Sequence, residues 1–364
     1  MLERLGALVK PLARAALLGL LVACSAPPES PPSHPRALSV PSSEPSATIA
    51  PPPLPALAPL PASPPRTASS APAAPAAPGP TLAATFHREV AEPVTAIALE
   101  APPHAAALGV DRVFLHDARG WRSEPLPKAV RPGPSFDLSL FYGRDHRVRL
   151  VGTHDGGAGP EGVYWRWLPA GFRQDKGEIG RLGAPRGGLV AVLGTADPEI
   201  VCRPGEVCLV KRKSGWTTVQ APADIRRVVL GGGVGWAVAG QALLRLGDDG
   251  WKPAAAPGSW QSADALFATA DRAWIVETHP GRIHAFDGAS WQVTTAPLAR
   301  PRALWGATGE VLWLAADEGL ACFDGTTWRR ILDAPAPLVS VLGRSVEDVW
   351  VGGAGGLFRI ALAR

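Results

Sequence analysis

A hairpin that recurs through most of the chain predicts an all-β fold, a seven-bladed β-propeller closed by an N-terminal strand. In its clearest copies, residues 282–291 and 319–328, a strand ends in Phe-Asp-Gly and a second strand opens on tryptophan. This pattern is typical of the outer hairpin of a propeller blade. The aromatic residue that opens the second strand returns at steps of roughly 40 residues, the period of a four-stranded blade. These residues are Trp121, Phe172, Trp216, Trp251, Trp291 and Trp328.

The first 23 residues have the pattern of a secretory signal peptide. A basic segment ends at Arg14 and a short apolar segment, 15–22, follows it. That segment is too short for a spanning helix, which needs roughly 20 residues. It ends in Leu-Val-Ala-Cys at 21–24, which resembles the lipobox of bacterial lipoproteins. The resemblance implies that Cys24 receives diacylglycerol and that cleavage follows Ala23; an ordinary signal peptide with a chance cysteine is the alternative.

Residues 24–81 are expected to form a lipidated cysteine and a disordered tether. From Ser25 the composition changes to proline, alanine and serine, without the periodic apolar pattern that a core requires. Acyl chains on Cys24 would hold the protein at a membrane, because each buried CH₂ contributes about 0.8 kcal/mol. We therefore expect an extracytoplasmic, lipid-anchored protein. Serine after Cys24, where aspartate would resemble an inner-membrane retention signal, favours the outer membrane if the cell has one.

Residues 82–364 divide into copies of the hairpin, and the early copies are the most diverged. The first copy has His116-Asp117 in place of Phe-Asp. The copy that ends at Phe172 is preceded by an insertion, which we expect to be a loop over 152–161. The frame of the repeat is nevertheless kept, so the whole of this region is predicted to be one propeller domain.

An apolar strand that carries tryptophan precedes the hairpin in the later copies. Mostly apolar runs suit strands that are buried on both faces, as inner blade strands are between neighbouring blades. All 13 tryptophans of the chain follow residue 120, which indicates a repeated structural role. We therefore place four of them in the core: Trp236, Trp274, Trp313 and Trp350.

The last copy of the repeat is incomplete, because the chain ends at Arg364 where an outer strand should follow. The repeat markers alone leave the count open between six and seven blades. Residues 84–93 resemble residues 327–335, which contain the outer strand of the preceding copy. We therefore predict a seventh blade whose outer strand comes from the N-terminus, around Phe86. Such closure protects edges that an open array of sheets would leave unpaired.

The Phe-Asp-Gly-x-x-Trp unit is similar to the Asp-box of sialidase-type propellers, although its aspartate lies one residue nearer the tryptophan. We interpret it as a turn in which aspartate accepts from backbone N–H groups and glycine takes a positive φ. A sialidase-like site also needs a tyrosine nucleophile and an arginine cluster, and Tyr142 and Tyr164 are the only tyrosines. Without a nucleophile elbow, a phosphate loop or metal-ligand spacing among the eight histidines, we expect no catalysis, cofactor or metal.

The turns between the second and third strands of a blade are the candidate binding surface. In a propeller they share one face with the connections between blades, and the candidates on them are His154, Asp155, Arg203, His279 and Arg282. The formal net charge is +4, and half of it comes from residues 1–23. The remainder is close to neutral, so we expect no nucleic-acid partner.

Cys202 and Cys208 flank a turn, and an extracytoplasmic location permits a disulfide between them. The register of the hairpin decides the outcome. A two-residue loop at Pro204-Gly205 puts the two sulfur atoms on opposite faces, whereas a three-residue loop puts the cysteines directly across from each other. The sequence leaves both registers open. Cys322 is expected to be a buried free thiol.

The repeats are similar to the tryptophan- and glycine-rich propeller repeats of many bacterial surface and periplasmic proteins. That resemblance supports a fold and not an activity. The first function we expect is a lipid-anchored scaffold that binds an unknown protein or envelope polysaccharide through its loop-rich face. The second is a carbohydrate-active or small-molecule-sensing propeller with a site at the central channel, which carboxylates at the channel mouth would favour.

Overall fold

The computed structural model describes residues 84–128, 130, 137–155, 160–174, 177, 189–192, 199–255 and 258–362. These residues form seven antiparallel sheets of four strands each, which confirms the predicted seven-bladed β-propeller. Within the described ranges no helix is long and apolar enough to cross a membrane.

The first four blades are described from the inner strand to the outer one. Strand β1 (Ala84–Val90) precedes them in the chain. Blade one contains β2 (Ala96–Leu99), β3 (Ala105–Leu108), β4 (Arg112–Asp117) and β5 (Gly120–Pro125). Blade two contains β6 (Asp137–Tyr142), β7 (Val148–Asp155), β8 (Pro160–Leu168) and β9 (Gly171–Gln174). Blade three contains β10 (Val190–Val192), β11 (Glu199–Arg203), β12 (Val207–Arg212) and β13 (Gly215–Gln220). Blade four contains β14 (Ile225–Gly231), β15 (Val234–Ala239), β16 (Ala242–Gly247) and β17 (Gly250–Pro253).

The last three blades follow the same order. Blade five contains β18 (Ala265–Ala268), β19 (Ala273–Glu277), β20 (Arg282–Phe286) and β21 (Trp291–Thr295). Blade six contains β22 (Pro301–Gly306), β23 (Leu312–Ala316), β24 (Gly319–Phe323) and β25 (Trp328–Asp333). Blade seven contains β26 (Leu338–Ser345), β27 (Asp348–Gly353), β28 (Gly356–Leu362) and, as its outer strand, β1.

Strand β1 closes the ring, as predicted from the incomplete last repeat. It pairs antiparallel with β28, and Phe86 lies opposite Ile360. The ring of Phe86 also packs on that of Phe358, with 5.2 Å between the ring centroids. On the inner side, β26 of blade seven contacts β2 of blade one. The two ends of the chain therefore hold the first and last blades together.

At four of the seven junctions, from blade four round to blade one, neighbouring blades are joined through aromatic side chains at two repeated positions. The tryptophan on the second strand of one blade and the aromatic residue at or near the start of the outer strand of the next blade share one hydrophobic cluster. This arrangement explains why both positions recur, because neither blade covers these side chains alone. The pairs are Trp236 with Trp291, Trp274 with Trp328, Trp313 with Phe86, and Trp350 with Trp121.

The Phe-Asp-Gly unit forms a turn. The Asp287 carboxylate accepts hydrogen bonds from the backbone N–H groups of Ala289 and Ser290, at 2.9 and 2.7 Å. Gly288 follows with a φ of 99°, a conformation that glycine adopts without steric cost. The bond from the Ser290 N–H is the main reason that the pKa of Asp287 lies below its ordinary value.

The prediction of a loop over 152–161 is wrong for most of that range, because residues 152–155 and 160–161 lie in paired strands. Strand β7 continues to Asp155, and its partner β8 begins at Pro160, directly opposite. The register is regular from Gly152 opposite Val163 to Asp155 opposite Pro160, so the hairpin continues through these residues. Polar and glycine-rich sequence thus extends the blade here instead of interrupting it.

Removing β1 tests the closure. A chain that lacks residues 84–90 should aggregate and be cut rapidly by protease, because β28 would present an unpaired edge and Trp313 would lose its aromatic neighbour Phe86. Limited proteolysis and size-exclusion chromatography measure both effects. A soluble monomer with unchanged thermal unfolding would refute the closure.

Candidate binding face

The face that carries the predicted binding residues follows from the antiparallel topology. In every blade the turn between the second and third strands lies at the same end as the connection to the next blade. We call this the upper face; in the described residues it includes 91–95, 204–206, 221–224, 278–281, 296–300 and 317–318. The lower face carries the other two turns of each blade.

The five predicted residues lie in the turn regions of three different blades, and the side chains of only three of them are described. His279 and Arg282 belong to the same turn region of blade five, and both are exposed. Arg203 lies two blades away, where its guanidinium forms an ion pair of 2.5 Å with Glu206. His154 and Asp155 lie at the end of β7, where their backbone pairs with β8; their side chains are outside the described part of the structure.

The cysteine pair lies beneath the blade-three turn. Arg203 is opposite Val207 and Cys202 is opposite Cys208, so the hairpin has the three-residue register. The two sulfur atoms form a disulfide bond, and the indole N–H of Trp251 donates to Cys208 Sγ at 3.2 Å. Cys322 is a buried free cysteine, and burial raises the pKa of its thiol to about 11.

A fully buried polar pair supports the blade-five turn. Glu277 and His284 are each 1% exposed, and a hydrogen bond of 3.1 Å joins Oε2 of Glu277 to Nε2 of His284. The backbone N–H of Gln261 donates to the other carboxylate oxygen at 2.7 Å. The ring of Trp260 packs edge-on against His284, with 5.7 Å between the centroids. Because both polar groups are satisfied, the pair fixes the end of β19 to β20 and to the connection from blade four.

The pair was not predicted from the sequence, where the exposed His279 was a candidate in this blade. The signal lies in the alignment of two repeats. Blade five can be set against blade six on Trp274 and Trp313 in the second strand, and on Phe286 and Phe323 in the third. Blade six then has alanines at the positions of Glu277 and His284, namely Ala316 and Ala321. Two polar residues that replace two buried alanines of one repeat are expected to be partners, because buried polar groups need hydrogen bonds.

Asp264 holds the same turn from the neighbouring connection. Its carboxylate accepts the backbone N–H of Thr278 at 2.6 Å and the hydroxyl of Ser262 at 2.8 Å. Burial alone would raise the pKa of Asp264, but these hydrogen bonds lower it below the ordinary value. Thr278 in turn donates through its hydroxyl to the carbonyl of Pro301 in blade six, at 2.6 Å. The turn 278–281 is therefore fixed from both adjacent connections.

Arginines line the adjoining part of the upper face in blade six. Arg302 binds Asp317 through two hydrogen bonds of 2.9 and 3.3 Å, and Arg300 lies 3.6 Å from the same carboxylate. The hydrogen bond from Arg302 is the main cause that lowers the pKa of Asp317. Arg300 has a φ of 49°, which is uncommon for a residue other than glycine. Its guanidinium is largely exposed.

The upper ends of the inner strands present exposed side chains at backbone bulges. Arg226, Arg302 and Val339 each occupy a register shift at the start of an inner strand, and each is exposed. The nearby carboxylates of Asp264 and Asp317 both have protein partners. Arg302 is bound to Asp317, whereas Arg226 and the carboxylate of Asp224 are both exposed. No group of three or more metal-ligating side chains occurs among the described residues.

Comparison with known proteins shows the fold alone. No family profile and no curated protein matches the chain. The streptogramin B lyase structure is 13% identical, with a TM-score of 0.56 over 78% of this chain and 98% of that one. The structure of YCF48 bound to D1 peptide is 18% identical, with a TM-score of 0.52 over 80% of this chain and 99% of that one.

A third similar structure is the extracellular domain of a putative hybrid two-component system from B. thetaiotaomicron. It is 10% identical, with a TM-score of 0.54 over 76% of this chain, and the match spans 41% of that chain. The propeller fold is thus shared with a lyase, with a peptide-bound protein and with extracellular domains of bacterial sensors.

Removing the buried carboxylate tests its structural role. Glu277→Ala should lower the free energy of unfolding by about 3–5 kcal/mol, because it leaves His284 and the Gln261 N–H buried without their partner. Glu277→Gln keeps an acceptor and a donor in place, so it should lower the free energy of unfolding clearly less than Glu277→Ala does. Urea unfolding measures both values. If both variants unfold like the wild type, the pair does not hold the turn.

Proposed function

We propose that the protein is a non-enzymatic, lipid-anchored extracytoplasmic scaffold that binds a protein or an envelope polymer through its upper face. The observation that carries this proposal is the blade-five turn. Glu277, His284 and Asp264 fix its backbone from below, while His279 and Arg282 remain exposed above it. Rigid support beneath exposed polar side chains is the arrangement that binding loops use, since little conformational entropy is lost on association.

The character of the exposed groups favours binding over catalysis. His279, Arg282 and Arg300 offer N–H donors that suit carboxylates and carbonyl oxygens. The buried His284 is sealed by Trp260 and is bonded to Glu277, so neither group reaches a substrate. The peptide-bound neighbour and the sensor domains support a recognition role for this fold, and the lyase neighbour shows that the fold also serves catalysis elsewhere.

A second candidate function is a small-molecule or carbohydrate site at the central channel. The observation that favours it is Arg226, which is exposed at the upper end of an inner strand and would bind an anionic ligand there. The carboxylates of Asp264 and Asp317 are bonded within the protein and do not add to this support. This function would place the ligand over the inner strands, away from His279 and Arg282. The two candidates therefore differ in which residues contact the ligand.

Site-specific crosslinking separates a binding face from a passive surface. A photoreactive amino acid at position 282 should form a covalent adduct with a discrete partner in the cells that make the protein. The matched control is position 272, an exposed arginine on the lower face of the same blade. Arg282→Glu should also lower the yield of the same adduct from a crosslinker at position 279, and Arg272→Glu should not. Equal adducts from positions 272 and 282, or none from either, would contradict the proposal.

Membrane attachment through Cys24 rests on the lipobox-like segment, and the intrachain disulfide accords with an extracytoplasmic location. Cys24→Ala should move the protein from the membrane fraction to the soluble fraction, because it removes the thiol that accepts the lipid. Ser25→Ala is the matched control and should leave it in the membrane fraction. Retention of the Cys24→Ala variant in the membrane would refute the anchor.

A further inference from the structure

Blades four and seven carry the same tryptophan–arginine pair. In blade seven Trp350 lies opposite Arg359, and in blade four Trp236 lies opposite Arg245. The guanidinium carbon lies over the tryptophan ring in both, 5.7 Å from the ring centroid in blade seven and 5.6 Å in blade four. The two blades therefore present the same two donors, an indole N–H and a guanidinium, in the same arrangement.

In blade seven a carboxylate of the chain itself occupies the space between these donors. Asp348 stands two residues before Trp350 on the same strand, so its side chain lies on the same face of the sheet. Its Oδ1 accepts from the indole N–H of Trp350 at 3.0 Å and from Nε of Arg359 at 2.9 Å. Its Oδ2 accepts from Arg344 at 2.6 Å.

Blade four lacks that carboxylate. Val234 stands two residues before Trp236, in the position that Asp348 has in blade seven. Trp236 is 1% exposed, and its buried indole N–H has no hydrogen-bond partner among the described residues. Arg245 makes no ion pair or hydrogen bond with the described residues. A buried donor without an acceptor is destabilising, so this site favours an acceptor that comes from elsewhere.

A groove of about 560 Å³ lies at this point between blades four and five, on the lower face. Trp236 and Arg245 line it together with apolar side chains and Gly247, which adds no side chain to fill it. The volume falls within the range of small-molecule sites. The other charged residues of the lining have partners, since Lys252 pairs with Asp249 and Asp271 accepts from Thr269. The apolar lining is Val234, Leu246, Pro253, Ala254 and Phe286.

We propose that this groove binds a small organic monocarboxylic acid with an apolar body. Its carboxylate enters from the groove beside Val234 and accepts from the two donors that correspond to those bound by Asp348 in blade seven, Trp236 Nε1 and the Arg245 guanidinium. Its body lies against Phe286 and Leu246. This site is on the face opposite the proposed partner-binding face, so it goes beyond that function and stands independently of it.

Blade six provides an internal control. Trp313 also has a buried indole N–H without a partner, and Val311 stands two residues before it. The residue opposite Trp313 is Cys322 and not arginine. The nearest arginine in that row, Arg329, lies opposite Cys322 on the outer strand and is paired with Asp324 at 3.0 Å. Blade six thus has the free N–H without an arginine opposite the tryptophan, and it should not bind a carboxylate.

Ligand binding is measured by fluorine NMR on the folded protein with 3-(4-fluorophenyl)propionate, and with its amide as the uncharged match. The acid should bind, and the amide should bind at least about tenfold more weakly, because hydrogen bonds to a charged acceptor are the stronger ones. Acetate should displace the acid at high concentration, since it carries the same carboxylate. Absence of binding by the acid, or equal binding by acid and amide, would overturn the proposal.

Variants assign the binding to these two donors. Trp236→Phe and Arg245→Met should each weaken binding of the acid at least about tenfold, whereas Trp313→Phe should leave it unchanged. Loss in only one of the first two variants, or an equal loss in Trp313→Phe, would overturn the two-donor site. Circular dichroism of each variant confirms that the propeller is folded.

A substitution that supplies the missing carboxylate gives a test that does not depend on the chosen probe. Val234→Asp should abolish binding of the acid and raise Tm, because the new carboxylate would bind Trp236 and Arg245 as Asp348 binds Trp350 and Arg359. Val311→Asp in blade six should not raise Tm, because Cys322 lies opposite Trp313 and Arg329 is already paired with Asp324. If Val234→Asp lowers Tm as much as Val311→Asp does, the two donors are not positioned for a carboxylate and the proposal fails.

Discussion

The packing of a tryptophan from one blade against the outer strand of the next, which joins blades four to seven and closes the ring onto blade one, is the interaction on which the rest of the structure depends. A four-stranded sheet of this size cannot cover both of its faces, so each blade relies on its two neighbours for burial. Trp350 and Trp121 make this contact between blades seven and one. In blade seven the outer strand, β1, is not continuous in the chain with the other three strands, β26 to β28. The ring holds only because β1 supplies the missing outer strand next to β28.

Function is expected where a blade departs from the repeat. Blade five replaces two buried alanines of blade six by Glu277 and His284, and the result is a turn with fixed backbone and exposed polar side chains. Blade four replaces the aspartate of blade seven by Val234, and the result is a groove lined by a buried indole N–H without a partner and by an exposed arginine. In both places the hydrophobic contacts between blades are kept. The repeat therefore supplies rigidity, and single substitutions in it supply chemistry.

Much of the fold follows from local sequence, because the marker residues act locally. Asp287 and Gly288 make a turn, and Trp291 opens a strand, whatever blade surrounds them. The closure by Phe86 was also predictable, since the last repeat lacks an outer strand. The partnership of Glu277 with His284 was not found, because it needs two repeats to be compared position by position. The strand that replaces the expected loop over 152–161 was missed because glycine and polar residues are poor indicators of backbone pairing.

The most direct test is a double-mutant cycle on Trp121 and Trp350, whose ring centroids lie 6.2 Å apart across the junction of the first and last blades. Trp121→Ala, Trp350→Ala and the double variant are compared with the wild type by urea unfolding. If contacts between blades hold the ring, the two substitutions should be coupled by about 0.5–1.5 kcal/mol, as aromatic pairs in contact are. Additive losses, to within about 0.3 kcal/mol, would show that each tryptophan stabilises its own blade alone and would contradict this account.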